Sequence, residues 1–250
     1  MIRVENIHKS FGDNHVLNGI STTFESGQTN LIIGQSGSGK TVFIKCMIGL
    51  MEVTDGTIWY DDVNFGALGK KERKAVRRKI GMLFQGSALF DSLTVEGNVR
   101  FPLDMFTNMT KKEKENRVNY VLDRVGLDGD NDKAPSEISG GMMKRVGIAR
   151  SIVLEPKYLF CDEPNSGLDP KTALKIDQLI REITKENDIV TIINTHDMNS
   201  VMEIGEQVTY LRKGLKIWEG SSKEILYTDN ELLNEFIFAN KFLQELRKNQ

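Results

Sequence analysis

Gly34-Gln35-Ser36-Gly37-Ser38-Gly39-Lys40-Thr41 follows directly on the apolar run Thr29-Asn30-Leu31-Ile32-Ile33, and Phe43, Ile44, Met47 and Ile48 then recur at helical spacing up to Gly49. A short buried strand, a glycine-rich turn and a helix, in that order, can wrap the chain around phosphate. The glycines let successive backbone N–H groups turn inward. The helix N-terminus adds partial positive charge. In this pattern Lys40 reaches the β- and γ-phosphates and Thr41, followed by Val42 in the first helical turn, offers a hydroxyl to Mg²⁺. A mere surface glycine turn would need neither the lysine and threonine nor the flanking elements.

Working outward, Tyr158-Leu159-Phe160-Cys161 is an apolar strand that ends in two carboxylates, Asp162 and Glu163. Asp162 at the strand tip suits Mg²⁺, directly or through water. Glu163 is placed to polarise the water that attacks a γ-phosphate. Strands often end in acidic residues, so the pair gains weight only downstream of a phosphate loop. Cys161 reads as a small buried apolar residue.

The remaining pattern is that of an α/β chain. Val4, Ile7 and Val16 to Phe24 read as β-structure around the Gly12-Asp13-Asn14 turn. Thr57 to Asp61 and Ile80 to Phe84 are further strands, and Ile189 to Asn194 suits a central parallel strand. From about residue 94 to 154 the pattern turns helical, with a capping box at Thr110-Lys-Lys-Glu113. Val208 to Leu211 and Leu215 to Trp218 flank Lys213-Gly214 as a hairpin. Leu232, Leu233, Phe236, Ile237, Leu243 and Leu246 predict an amphipathic C-terminal helix that must be covered. Residues 70–79 carry seven Lys or Arg, read as a solvated helix face because the whole chain is slightly acidic.

Composition closes several classes. The 250 residues have 39% hydrophobic and 27% charged side chains and a net charge of −2, which suits a globular protein and argues against a nucleic-acid partner. No stretch approaches the ~20 apolar residues of a membrane-spanning helix, and the first residues lack the apolar run of a secretory signal. Two cysteines, Cys46 and Cys161, build no disulfide framework, so a reducing compartment is expected. Any work at a membrane would then go through a partner chain.

Ile138-Ser139-Gly140-Gly141-Met142 beside a helix supplies the most specific feature. With it, the order of motifs resembles the ATP-binding subunits of ABC transporters up to about residue 225. The resemblance implies ATP and Mg²⁺ as ligands and a homodimer in which Ser139, Gly140 and Gly141 contact the γ-phosphate held by the opposite subunit. It implies that Gln85 senses Mg²⁺ and attacking water, that His196 contacts the γ-phosphate, and that Ser166-Gly-Leu-Asp169 couples the two sites. It also places the ring of Phe11 on adenine with Val16 beside it. His8 and His15 read as isolated surface histidines. Met142 and Asn165 depart from the commoner glutamine and threonine. The implied fold is an α/β, phosphate-loop ATPase with a parallel-sheet core, an N-terminal antiparallel β-lobe and an inserted α-helical lobe. The core would span 1–86 and 156–225, the helical lobe 87–155, and a helical tail 226–250.

Gly86 to Pro102 and Ser139 to Arg150 are further similar to the ATPases of Mla-type bacterial phospholipid transport systems. That resemblance implies integral membrane permease subunits, an MCE-type lipid-binding protein, and a site on the cytoplasmic face of the membrane. A transporter ATPase for an amino acid or a metal would share the same chemistry. Repair-type ABC ATPases would need long heptad insertions and translation-type ones a duplicated domain, and neither pattern is present. A kinase or GTPase sharing the phosphate loop would not need Ser139-Gly-Gly or His196.

Overall fold

The computed structural model describes residues 1–238. Two sheets share the chain. Strands β1 (Ile2–Phe11), β2 (Asn14–Phe24), β4 (Asp55–Tyr60) and β5 (Val63–Asn64) form an antiparallel sheet in the order β2-β1-β4-β5. The second sheet runs β10-β9-β3-β8-β7-β6, from β3 (Thr29–Ile33), β6 (Ile80–Leu83), β7 (Tyr158–Asp162), β8 (Val190–Thr195), β9 (Gln207–Arg212) and β10 (Leu215–Ser221). It is parallel from β9 to β6, and only β10 turns back against β9.

The parallel strands are buried at nearly every position because both of their faces are covered. Ile32, Phe160 and Ile192 point into a core shared with the antiparallel sheet and with α1 (Lys40–Met47), which contributes Phe43, Ile44 and Met47. Leu31, Ile33, Leu83, Leu159, Cys161 and Ile193 face the other way, onto α5 (Gly140–Ile152) and α6 (Pro170–Glu186). The alternation follows from the two-residue period of a strand.

Between β6 and β7 the chain runs through three helices, α3 (Val95–Phe106), α4 (Lys111–Arg124) and α5. Thr110 and Glu113 form the expected capping box at the start of α4, and Val118, Val121 and Leu122 bury its apolar face. The basic run becomes α2 (Lys70–Arg77), with no buried residue. α7 (Met198–Ile204) follows β8.

The tail differs in detail from its sequence pattern. Helix α8 (Glu231–Ile237) buries Leu233 and Ile237 completely, while Leu232 is partly exposed. The buried stripe therefore keeps the expected Leu233 and Ile237 and leaves out Leu232. Leu243 and Leu246 lie outside the described residues. Among the described residues no helix is long and apolar enough to cross a membrane.

Candidate functional site

Four neighbouring parallel strands, β3, β8, β7 and β6, end on one edge of the sheet. Ligand sites in open α/β sheets form outside such carboxyl ends. β3 leads into residues 34–41, β8 into His196, β7 into Glu163 and β6, one residue on, into Gln85. Sites far apart in sequence are thereby brought to one cavity of about 600 Å³, lined by Val16, residues 35–37 and 39–42, Gln85, Glu163, Ser166, His196 and Phe236.

The loop from β3 to α1 is built for close backbone approach. Gly39, the residue before α1, has φ 103°, and a Cβ there would lie 2.9 Å from Leu17 Cδ2. A Cβ on Gly34 would run into the Leu211 carbonyl oxygen. Lys40 is buried; its ammonium donates to the carbonyl oxygens of Gly34 (2.7 Å) and Gln35 (3.1 Å). Burial lowers its pKa, opposed by the charges of Glu163 and Asp162. The hydroxyl of Ser38 is buried without a hydrogen-bond partner. A cradle of backbone turns, one cation and an orphaned hydroxyl fits a polyphosphate.

Thr41 Oγ1 donates to Asp162 Oδ1 at 3.2 Å, and Asn194 Nδ2 donates to the same oxygen at 3.2 Å. Hydroxyl and carboxylate oxygens are hard donors that suit Mg²⁺, which takes one or two carboxylates and completes its shell with phosphate and water. Among the described residues no group of three His, Cys, Asp or Glu side chains is placed to hold a metal ion without further ligands.

Glu163 sits above Asp162 with φ 51°, a left-handed conformation that turns its side chain off the strand direction and into the cavity. His196 Nδ1 lies 2.7 Å from Glu163 Oε2 and 2.9 Å from Oε1. Glu163 is nearly buried and His196 largely open, 13% against 64% side-chain exposure, so the carboxylate is backed by protein and the imidazole faces the cavity.

Other expected residues stand elsewhere. Ser139, Gly140, Gly141 and Asp169 do not line this cavity. Ser139 caps α5, accepting from Met142 N–H, and Asp169 caps α6, accepting from Thr172 N–H. Phe11 is outside the cavity as well: it is 48% exposed, with the Lys9 ammonium 4.8 Å over its ring. Ser166, expected only as the start of the coupling loop, lines the cavity itself. Two contributors escaped the sequence reading. Phe236 of α8 lines the cavity and stacks on Tyr210 at 5.2 Å. Lys144, buried inside α5, donates to the carbonyl of Glu163 (3.3 Å) and to Ser166 Oγ (3.4 Å).

A phosphate cradle, an oxygen-only metal corner and a carboxylate–imidazole pair at parallel strand ends define a nucleoside-triphosphate hydrolase of the phosphate-loop class. Residues 17–166 match the family described as ABC transporter. The "Probable ribonucleotide transport ATP-binding protein mkl" of Mycobacterium tuberculosis is 36% identical over 94% of this chain, which spans 66% of that protein's length. The "Phosphonates import ATP-binding protein PhnC" of Wolinella succinogenes is 35% identical over 99% of this chain and 92% of its own. Among solved structures, the dimeric cassette MJ0796 in a post-hydrolysis state with ADP and Pi is 30% identical, with a TM-score of 0.81 over 89% of this chain and 99% of that one. The structure of cbiO1 from Clostridium perfringens gives 29% identity and a TM-score of 0.85 over 98% of both. The chain belongs to the ABC transporter family, as an ATP-binding, ATP-hydrolysing cassette that uses Mg²⁺.

Proposed function

We propose that this chain drives a membrane transporter by closing and opening a head-to-tail dimer around ATP. The observation that carries this is the separation of two sets of phosphate-binding groups: Lys40, Thr41, Glu163 and His196 share one cavity, while Ser139, Gly140 and Gly141 lie outside it. Each ATP would lie between the cradle of one copy and the Ser139 end of α5 in the other, with Asp169 beside the seam. Binding favours the closed dimer and loss of the γ-phosphate releases it, a ligand-biased two-state switch.

Within each site Lys40 and the amides of residues 34–41 hold the phosphates. Thr41, Asp162 and Gln85 would hold Mg²⁺, which neutralises charge developing on the phosphate oxygens. Glu163 accepts the proton of the attacking water, and His196 keeps that carboxylate aimed and meets the γ-phosphate. Val16 flanks the nucleotide, and Phe11 reaches adenine only if its ring swings off Lys9. Lys40→Ala is expected to weaken ATP binding, and Glu163→Gln to keep binding and abolish turnover. A Lys40→Ala chain with parent affinity for ATP would overturn the cradle.

The transported substrate is chosen by the membrane partner. A groove of about 620 Å³ between the α/β core and α3 is lined by Ile80, Met82, Phe84, Phe90, Phe101 and Phe106. An apolar groove of this kind suits a helix of a permease, and docking there would hold the chain against the membrane, on its cytoplasmic face as the import relatives suggest. We assign residues 1–86 and 156–225 to the ATPase core, 87–155 to the helical lobe that carries this groove, and 226–250 to a tail. The finer assignment is phospholipid transport with an MCE-type partner, supported by the likeness of residues 86–102 and 139–150 to Mla-type ATPases. Purification of the tagged chain from its native host tests it: a permease with an MCE-domain protein is expected, and a periplasmic amino-acid-binding protein would overturn it.

A further inference from the structure

Behind the Glu163–His196 pair lies a polar cluster that none of these steps uses. Asn165, Asp177 and Ser200 come from three elements, the loop after β7, the middle of α6 and the start of α7, and all three are buried. Asn165 Nδ2 donates to Ser200 Oγ at 2.7 Å and to Asp177 Oδ2 at 3.1 Å. Burial pushes the Asp177 carboxyl up to about 6, with Asp197 and Glu203 acting in the same direction, against the nearby Ser200 hydroxyl and Asn165 amide, which favour the charged form.

A buried carboxylate held by the amide of Asn165 is a poor way to stabilise a fold, since apolar replacements of buried charges often do as well or better. Its position supplies another reason. Asn165 is two residues beyond Glu163, whose left-handed backbone is unfavourable for a residue with a side chain and persists only where its surroundings hold it. Two restraints on that loop are already clear: Glu163 N–H donates to the Asn194 carbonyl at 3.0 Å, and Lys144 binds from α5. Asp177 supplies the third, from α6, through the Asn165 amide. Ser200, the other partner of that amide, lies on the helix that begins just after His196 and Asp197.

We propose that Asp177 is a positioning residue for ATP hydrolysis, holding the Asn165 amide on Ser200 and so fixing the loop of Glu163 against that of His196. The inference rests on the hydrolytic roles given to Glu163 and His196. Asp177 touches neither nucleotide nor metal. Its removal should therefore let the pair drift apart while the cradle around Lys40 stays intact, and small displacements of reacting groups cost rate steeply.

The test uses the full-length chain with Mg²⁺ and ATP, measuring kcat, KM, equilibrium ATP binding and melting temperature. Asp177→Ala is expected to lower kcat by about tenfold while ATP affinity stays within about twofold of the parent. Asp177→Asn keeps one oxygen to accept from Asn165 and should recover most of that rate. Ser200→Ala reads the same link from its other end and should lower kcat without changing ATP affinity. Parent-level kcat in Asp177→Ala and Ser200→Ala would overturn the inference alone. So would parallel losses of kcat, ATP affinity and melting temperature with no recovery in Asp177→Asn, which would mark the cluster as merely structural. Near-parent turnover by Glu163→Gln would instead overturn the hydrolytic roles beneath it, and the inference with them.

Discussion

His196 Nδ1 lies 2.7 Å from Glu163 Oε2, so the tips of the adjacent strands β8 and β7 meet in one carboxylate–imidazole contact over the phosphate cradle. Two groups that act as a unit lose activity non-additively when removed. Glu163→Gln should lower kcat by about 100-fold or more, and His196→Ala by at least about tenfold. The double variant should be little worse than Glu163→Gln alone. Multiplying losses, measured as steady-state ATPase rates at saturating ATP, would show two independent roles.

Much of this site was legible because each residue ends a short apolar run. Ile33 before the loop, Cys161 before Asp162 and Asn194 before Thr195-His196 are all buried strand positions. Parallel strands deliver their ends to one edge, so motif order alone predicts the convergence. The fold class was readable for the same reason. Asp177 was not: it lies between Ile176 and Leu179 on α6, where a carboxylate in an amphipathic pattern reads as solvent-facing. Lys144 was hidden likewise inside α5. Phe236 lines the cavity only because α8 packs against Tyr210, a tertiary contact that local periodicity does not encode. Even the stripe on α8 was misjudged at Leu232, since a two-turn helix leaves its rotation to its neighbours.

That docking of α8 predicts a measurable cost. Leu233 and Ile237 are fully buried, Tyr210 Oη donates to the Leu232 carbonyl at 3.3 Å, and Arg212 pairs with Glu235. Leu233→Ala should destabilise the chain by about 2–4 kcal/mol, read by denaturant or thermal unfolding. Deleting residues 229–250 should cost at least as much. A truncated chain with the parent's melting temperature would mean that α8 does not hold the core together.

Acid sensitivity should appear at Asp61, which does not line the phosphate cavity. Burial raises its pKa, but hydrogen bonds from Lys157, Tyr158 and the Met1 amino group outweigh that and hold the carboxyl well below its usual range. A depressed folded-state pKa gives stability that is present above the unfolded value, near about pH 4, and lost as pH falls further. Asp61 is 41% exposed, so the contribution is discounted to about 1 kcal/mol. Asp61→Asn should therefore melt lower at about pH 7, with the gap to the parent narrowing as pH drops below about 4. A gap unchanged between about pH 7 and about pH 3 would rule out the charge as its source.

The apolar groove makes a prediction about assembly. Its rim carries Lys74, Arg77, Arg78 and Arg150, with no acidic residue among the described residues that line it. A docking helix should then present apolar residues flanked by a carboxylate. Phe90, 43% exposed and 4.8 Å from the Phe101 ring, is the natural contact. Phe90→Asp should abolish co-purification of the permease and leave ATP affinity of the isolated chain within about twofold, since Phe90 lines the groove and not the cavity of Lys40. Loss of ATP affinity with the permease still bound would place the groove's role elsewhere.

The dimer itself can be tested through the two separated half-sites. Ser139 starts α5 and Gly141 packs against α6, where a Cβ would lie 2.8 Å from Thr172 Cγ2, so this end of α5 is fixed to its own core outside its own cavity. One chain therefore cannot surround its own γ-phosphate, whereas two chains placed head to tail can. Such an arrangement is symmetric, with the same two patches meeting twice. A Lys40→Ala chain lacks the cradle cation and a Ser139→Arg chain blocks the phosphate-facing end of α5, so neither homodimer should hydrolyse ATP. In the mixed dimer one site carries both lesions and the other carries neither. Equal mixing gives about half mixed dimers, each with one intact site of two. Roughly a quarter of parent activity should then return, if a single site can turn over alone. Recovery by mixing, with both variants inactive separately, supports the shared site, because no intramolecular arrangement can restore an intact set of residues. Full activity of the Ser139→Arg homodimer would mean that Ser139 never meets a nucleotide, and the head-to-tail dimer would fall.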